Sequence, residues 1–178
     1  MRFPEARTIT AISTLRHSYP YAASLLSYVV VERVLKRYVL DHWKDASYGD
    51  WTIPSKIKRH GGKTTRELSR LNRKQRLAQV ICRLTLGDVE DLLGRPHREL
   101  SASDRNEVMH SNLYLKEESK LSRARQQAKN DARLAKALEH LGRAMEQFTE
   151  YTLVESDGSL SAQPNTRLKL AGDPPSVW

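Results

Sequence analysis

The chain has 178 residues, length enough for one domain with a real core. Apolar residues make up 39% and charged residues 29%, the polar side of the soluble range, and no uninterrupted apolar run reaches membrane-spanning length, which excludes a transmembrane helix. A formal net charge of +9 points to an anionic partner, with nucleic acid the commonest and membranes or acidic proteins the alternatives.

Residues 1–17 carry no apolar stretch of signal-peptide length and read as an N-terminal extension, a short leading helix or a frayed end. Ser18 and Pro20 form a helix start, a capping hydroxyl followed by a ring tolerated in the first turn. The helix is predicted to run to about Trp43. Leu25, Leu26, Val29, Val30 and Val34, widened by Tyr28, Val31, Leu35, Tyr38 and Val39, make it apolar on more than one side and therefore central. Glu32 lies one turn from Lys36 and can pair with it. From Asp45 to Gly62 glycine and proline break any period, so a loop is predicted.

Charge concentrates next. Lys56, Lys58, Arg59, Lys63, Arg66, Arg70, Arg73, Lys74 and Arg76 face only Glu67 as an acid between positions 56 and 76, nearly the whole net charge. Arg66, Arg70 and Arg73 share a helical face. Such a segment can follow a phosphate backbone, each contact releasing counterions, or can serve as a solvated face or a dock for an acidic protein. Thr64-x-x-Glu67 and Asn72-x-x-Gln75 are capping boxes that open short helices. Cys82, the one cysteine, can form no internal disulfide and fits a reducing, cytoplasmic setting; among Val80, Ile81 and Leu84 it reads as a buried thiol. Gly87–Gly94 is a short acidic helix whose Asp88 and Asp91 suit a helix N-terminus, so no metal site is read there. Ser103 or Asp104 can cap the following helix. Asn130-Asp131 is read as the start of the last helix, with Leu134, Ala137, Leu138, Leu141, Met145 and Phe148 on its core face and His140 a structural residue beside it. From Ser156 to Trp178 the composition predicts a disordered tail.

The stretch Asp104–Tyr114 is where chemistry is expected. It contains Arg105, Asn106 and His110. Histidine can give or take a proton near neutrality, and arginine is a permanent cation whose fork grips phosphate oxygens. The pair suits cleavage of RNA by its own 2′-hydroxyl. Spacing alone does not single it out: Arg37–His42 fits equally, and Arg133–His140 fits with six intervening residues. Context does, because Arg105 follows a loop signal and precedes asparagine. Five positions turn a helix by about 500°, so the two side chains do not stack on one face. They can converge where the helix begins, or across a two-fold axis.

This Arg-Asn-x-x-x-His motif ahead of the last long helix, with the apolar helix Tyr21–Trp43 carrying Glu32, Lys36 and Arg37, resembles the HEPN superfamily over roughly residues 20–151. The resemblance implies an all-α, four- to five-helix antiparallel bundle over residues 18–155, commonly a homodimer. It also implies a metal- and cofactor-free endoribonuclease of toxin–antitoxin or phage-defence type. Arg105 and His110 would be the catalytic pair, Asn106 their polar support and Glu32 an orienting carboxylate. Lys56, Lys58, Arg59, Lys63, Arg66, Arg70 and Arg73 would hold RNA. An antitoxin or a nucleotidyltransferase is the partner such a chain would have. One subfamily places a modifiable tyrosine two positions after the histidine; Asn112 stands there, and Tyr114 is the nearest tyrosine. Two alternatives stay open: a non-catalytic HEPN-like module binding nucleic acid, a nucleotide or a protein, and a structural adaptor in which Arg105 and His110 only pack.

Overall fold

The computed structural model describes residues 3–42, 78–79, 81–93, 101–110 and 122–166. These form helices α1 (Ala6–Leu15), α2 (Pro20–His42), α3 (Leu86–Leu92), α4 (Ser101–His110) and α5 (Arg123–Phe148), then strands β1 (Tyr151–Ser156) and β2 (Ser159–Pro164). The chain is mostly helical, as its patterning predicts, with one small antiparallel sheet that patterning did not predict. Two compact units divide it, one of residues Met1–Val34 with Ser101–Trp178, the other of Leu35–Leu100. Among the described residues no helix is long and apolar enough to cross a membrane.

In the first unit α1 buries Ile9 and Ile12, with Phe3 ahead of them. Helix α2 begins with Pro20 at its first position, where a missing amide hydrogen costs nothing. Tyr19 rather than Ser18 takes the capping position, its carbonyl accepting from the Ala23 amide at 3.1 Å. Val30, Val31 and Val34 are buried, and Val29 is exposed. The buried hydroxyls of Ser24 and Ser27 each donate to the carbonyl one turn back at 2.8 Å, so neither is left unpaired.

Helix α5 starts eight residues before the predicted Asn130-Asp131. Ser122 is its N-cap, accepting from the Arg125 amide. The predicted starters lie mid-helix with their side chains turned to helical neighbours: Asp131 accepts from Gln127 at 2.9 Å and Asn130 from Arg133 at 3.4 Å. Leu134, Ala137, Leu141, Ala144 and Met145 form the buried stripe.

Residues 156–164 were expected to be disordered. They instead complete a hairpin in register from Tyr151↔Pro164 to Ser156↔Ser159. Asp157 (φ 50°) and Gly158 (φ 71°) make the two-residue turn in the left-handed conformation that matches strand twist. The hairpin is bound to α1. Arg16 donates to Glu155 Oε1 at 2.7 Å and to the Gly158 carbonyl at 2.8 Å. The Leu160 amide donates to Ser13 Oγ at 2.8 Å, and the Phe3 and Tyr151 rings lie 5.2 Å apart. Residues 167–178 of the expected tail lie outside the described residues.

In the second unit Leu35, Tyr38, Val39, Ile81, Leu84, Leu86 and Val89 are buried. Lys36 Nζ donates to the Cys82 carbonyl at 3.2 Å. Cys82 itself is exposed, a correction to the buried reading: Ile81 and Leu84 point inward, and one residue on is a rotation of about 100°. Helix α3 is capped by Thr85 and not Asp88. Thr85 Oγ1 accepts from the Asp88 amide at 3.2 Å while Asp88 Oδ2 accepts from the Thr85 amide at 2.9 Å, a reciprocal capping box.

Candidate functional site

Helix α4 is held by α2 on one side and α5 on another. Tyr28, Val108 and Ala137 form a buried cluster, with Tyr21 and Leu25 against it. The Tyr21 hydroxyl donates to the Val108 carbonyl at 3.1 Å. With Val108 fixed inward, every other position on α4 follows from helical phase.

Arg105 then faces α2. Its Nη2 lies 3.6 Å from Glu32 Oε2, with 27% and 23% of the two side chains exposed, so both remain in reach of solvent. Its Nη1 donates to Asn106 Oδ1 at 3.2 Å. Glu32, Arg105 and Asn106, three of the four residues expected at the site, are therefore brought together. His110 is exposed, the last residue of the same helix. Because α4 is continuous through both, Arg105 and His110 stand about 140° apart around its axis. The alternative of convergence at a helix start does not occur: Arg105 is the fifth helical residue. The expected RNA-binding residues Lys56, Lys58, Arg59, Lys63, Arg66, Arg70 and Arg73, together with Asn112 and Tyr114, lie outside the described residues.

About 100° round α4 from Arg105 stands a polar group that local pattern did not reveal. Asp104 is not a cap. Its Oδ1 accepts from Lys136 Nζ at 2.6 Å, and its Oδ2 lies 2.6 Å from His140 Nε2. An ionised carboxylate only accepts, so the Nε2 proton is the one shared. Burial alone would raise the Asp104 carboxyl, but the hydrogen bonds and charges of Lys136 and His140 outweigh it and hold its pKa below the ordinary value. The Asp104 hydrogen bond raises Lys136 in turn, against partial burial.

His140 is 7% exposed, its ring 6.0 Å from that of Tyr28, and its Nδ1 is buried with no hydrogen-bond partner among the described residues. A ring nitrogen closed off in this way cannot exchange a proton with a substrate, so His140 positions rather than reacts. Beside this group runs an open groove of about 210 Å³ between α4 and α5, lined by Tyr28, Asp104, Glu107, Lys129, Arg133 and Lys136. Three cations against two carboxylates give it a net positive lining, suited to holding an anion. Comparison with family models, curated proteins and solved structures finds no match to this chain.

Proposed function

We propose that this chain is a metal-independent endoribonuclease of the toxin or defence type, built as a HEPN-like bundle and acting as a homodimer. The observation that carries the reading is the Arg105 guanidinium, its side chain 27% exposed and held by Glu32 at 3.6 Å and Asn106 at 3.2 Å. A fixed cation open to solvent is what a phosphorane requires, since preorganised charge stabilises a transition state without reorganising. His110, exposed at the end of α4, supplies the proton transfer. The 2′-oxygen attacks phosphorus as its proton leaves to a base, and the P–O5′ bond breaks as that oxygen gains a proton. The products are a 2′,3′-cyclic phosphate and a free 5′-hydroxyl. Glu32 and Asn106 act through Arg105 as positioning residues.

The test is incubation of mixed RNA with wild type, His110→Ala and Arg105→Ala in EDTA, reading the product ends. Cyclic phosphate ends are expected from wild type, and His110→Ala is expected to lose on the order of 10²–10⁴-fold in rate. Equal cleavage by wild type and His110→Ala sinks the assignment. A second reading, a non-catalytic module binding nucleic acid, a nucleotide or a protein, is favoured by one observation: a single α4 turns Arg105 and His110 apart, so one subunit alone does not assemble them. It predicts salt-dependent RNA binding with intact RNA recovered.

A further inference from the structure

Most of the basic side chains of α5 share one side of its axis. At 100° per residue, Arg125, Lys129, Arg133, Lys136, His140 and Arg143 fall within an arc of about 80°. Asp131, Glu139 and Glu146 fall on a separate arc, and the buried stripe Leu134–Met145 occupies a third. The basic positions succeed one another roughly every 5–6 Å over about 27 Å of helix. Arg125 and Lys129 are exposed; the Lys136 and Arg143 side chains, 55% and 46% exposed, are ion-paired with Asp104 and Glu139. Arg133 lines the groove beside α4 with most of its surface covered. Of the groove's two carboxylates, Asp104 is engaged by Lys136 and His140, and Glu107 is the other.

The chemistry of the partner follows from what the stripe lacks. The exposed non-basic residues in the first half of α5 are alanines, Gln127 and Asp131. A protein interface draws its affinity from desolvated aromatic or apolar anchors, and an interfacial helix from an apolar face beside the basic one; among the described residues neither is exposed along this stripe. Repeated like charge with no apolar anchor matches a repeated phosphate.

We propose that the basic stripe of α5, with the groove between α4 and α5, is a contact surface for the phosphate backbone of RNA, separate from Arg105 and His110. The inference rests on the RNA part of the reading above, though not on cleavage.

The experiment measures fluorescence anisotropy of a labelled single-stranded oligouridine, titrated with the full chain carrying His110→Ala so that the strand survives, across a sodium chloride series. Adding Arg125→Ala and Lys129→Ala should lower the log–log salt slope by about 1.4 and weaken binding about 25-fold at 0.1 M salt, two contacts at about 0.7 each. The control pair Arg7→Ala and Arg33→Ala, both exposed, removes the same charge elsewhere and should change affinity by no more than about twofold. Thermal melting checks that each variant is folded. The proposal is overturned if the two pairs weaken binding equally, if neither does, or if the parent does not bind. Stripe-dependent binding together with a wild type that leaves RNA uncut supports the proposal and sinks the ribonuclease reading instead.

Discussion

Asp104 holds two partners, Lys136 and His140, on one carboxylate, and the energetics are set by how unequally those partners are exposed. Lys136 is 55% exposed and recovers hydration if released, whereas the His140 side chain, 8% exposed, does not. Asp104→Asn leaves a near-isosteric amide that accepts one of the two hydrogen bonds, so a loss of about 1–2 kcal/mol at neutral pH is expected. The pH dependence has a definite sign. Asp104 is depressed on folding, so its contribution is full above the ordinary carboxylate range and lost as pH falls through the folded pKa. Lys136 is raised, so its share is full below the ordinary lysine value and lost as pH climbs through the folded one. Urea unfolding of wild type and Asp104→Asn should therefore show a constant gap between about pH 5 and about pH 9, closing toward both extremes. A gap that widens in acid contradicts this account. None of it was legible locally, because the partners lie 32 and 36 positions along the chain. An aspartate near a helix start reads as a cap until the packing of α5 is known.

At the scale of elements, legibility tracked how far a signal depends on neighbours in sequence. Helix α2 was readable because its apolar surface is broad enough to survive errors of phase. The core face of α5 was readable for the same reason, but its first two turns were missed, since exposed polar residues carry no period in hydrophobicity. The hairpin was missed although its turn is written in the chain: Asp157-Gly158 stands between Tyr151–Ser156 and Ser159–Pro164, and glycine and proline punctuation with few large apolar residues outweighed it. That turn yields a clean prediction. A Cβ added at Gly158 would meet no atom within 4 Å, so the cost of Gly158→Ala is backbone strain alone, about 1 kcal/mol. In a chain of this length the melting temperature should fall by roughly 2–4 °C. Asp157→Asn, which tolerates positive φ, should leave it unchanged. Arg16→Ala should cost more, about 1–3 kcal/mol, because the buried guanidinium serves both Glu155 and the Gly158 carbonyl across the α1–hairpin contact. Equal melting of Arg16→Ala and wild type would mean that the contact adds nothing to the fold.

Whole-molecule geometry decides whether the catalytic reading can work. One α4 carries Arg105 and His110 about 140° apart, and a straight helix offers no means of bringing them together. A two-fold axis does: it repeats the same surface on the partner, so the arginine of one copy can meet the histidine of the other. Each composite site then draws one residue from each chain, and this has a consequence that a single-chain site does not share. In an equal mixture of Arg105→Ala and His110→Ala chains, half the dimers pair one of each. Each such dimer holds one intact site and one lacking both groups. Exchange of subunits should therefore raise cleavage from near zero to roughly a quarter of the wild-type rate. Sedimentation run on the same samples shows whether dimers are present to exchange. If dimers form and the mixture stays as inactive as its components, the residues do not meet across an interface. With no intrachain meeting available on a continuous α4, RNA cleavage through this pair would then have no geometric basis.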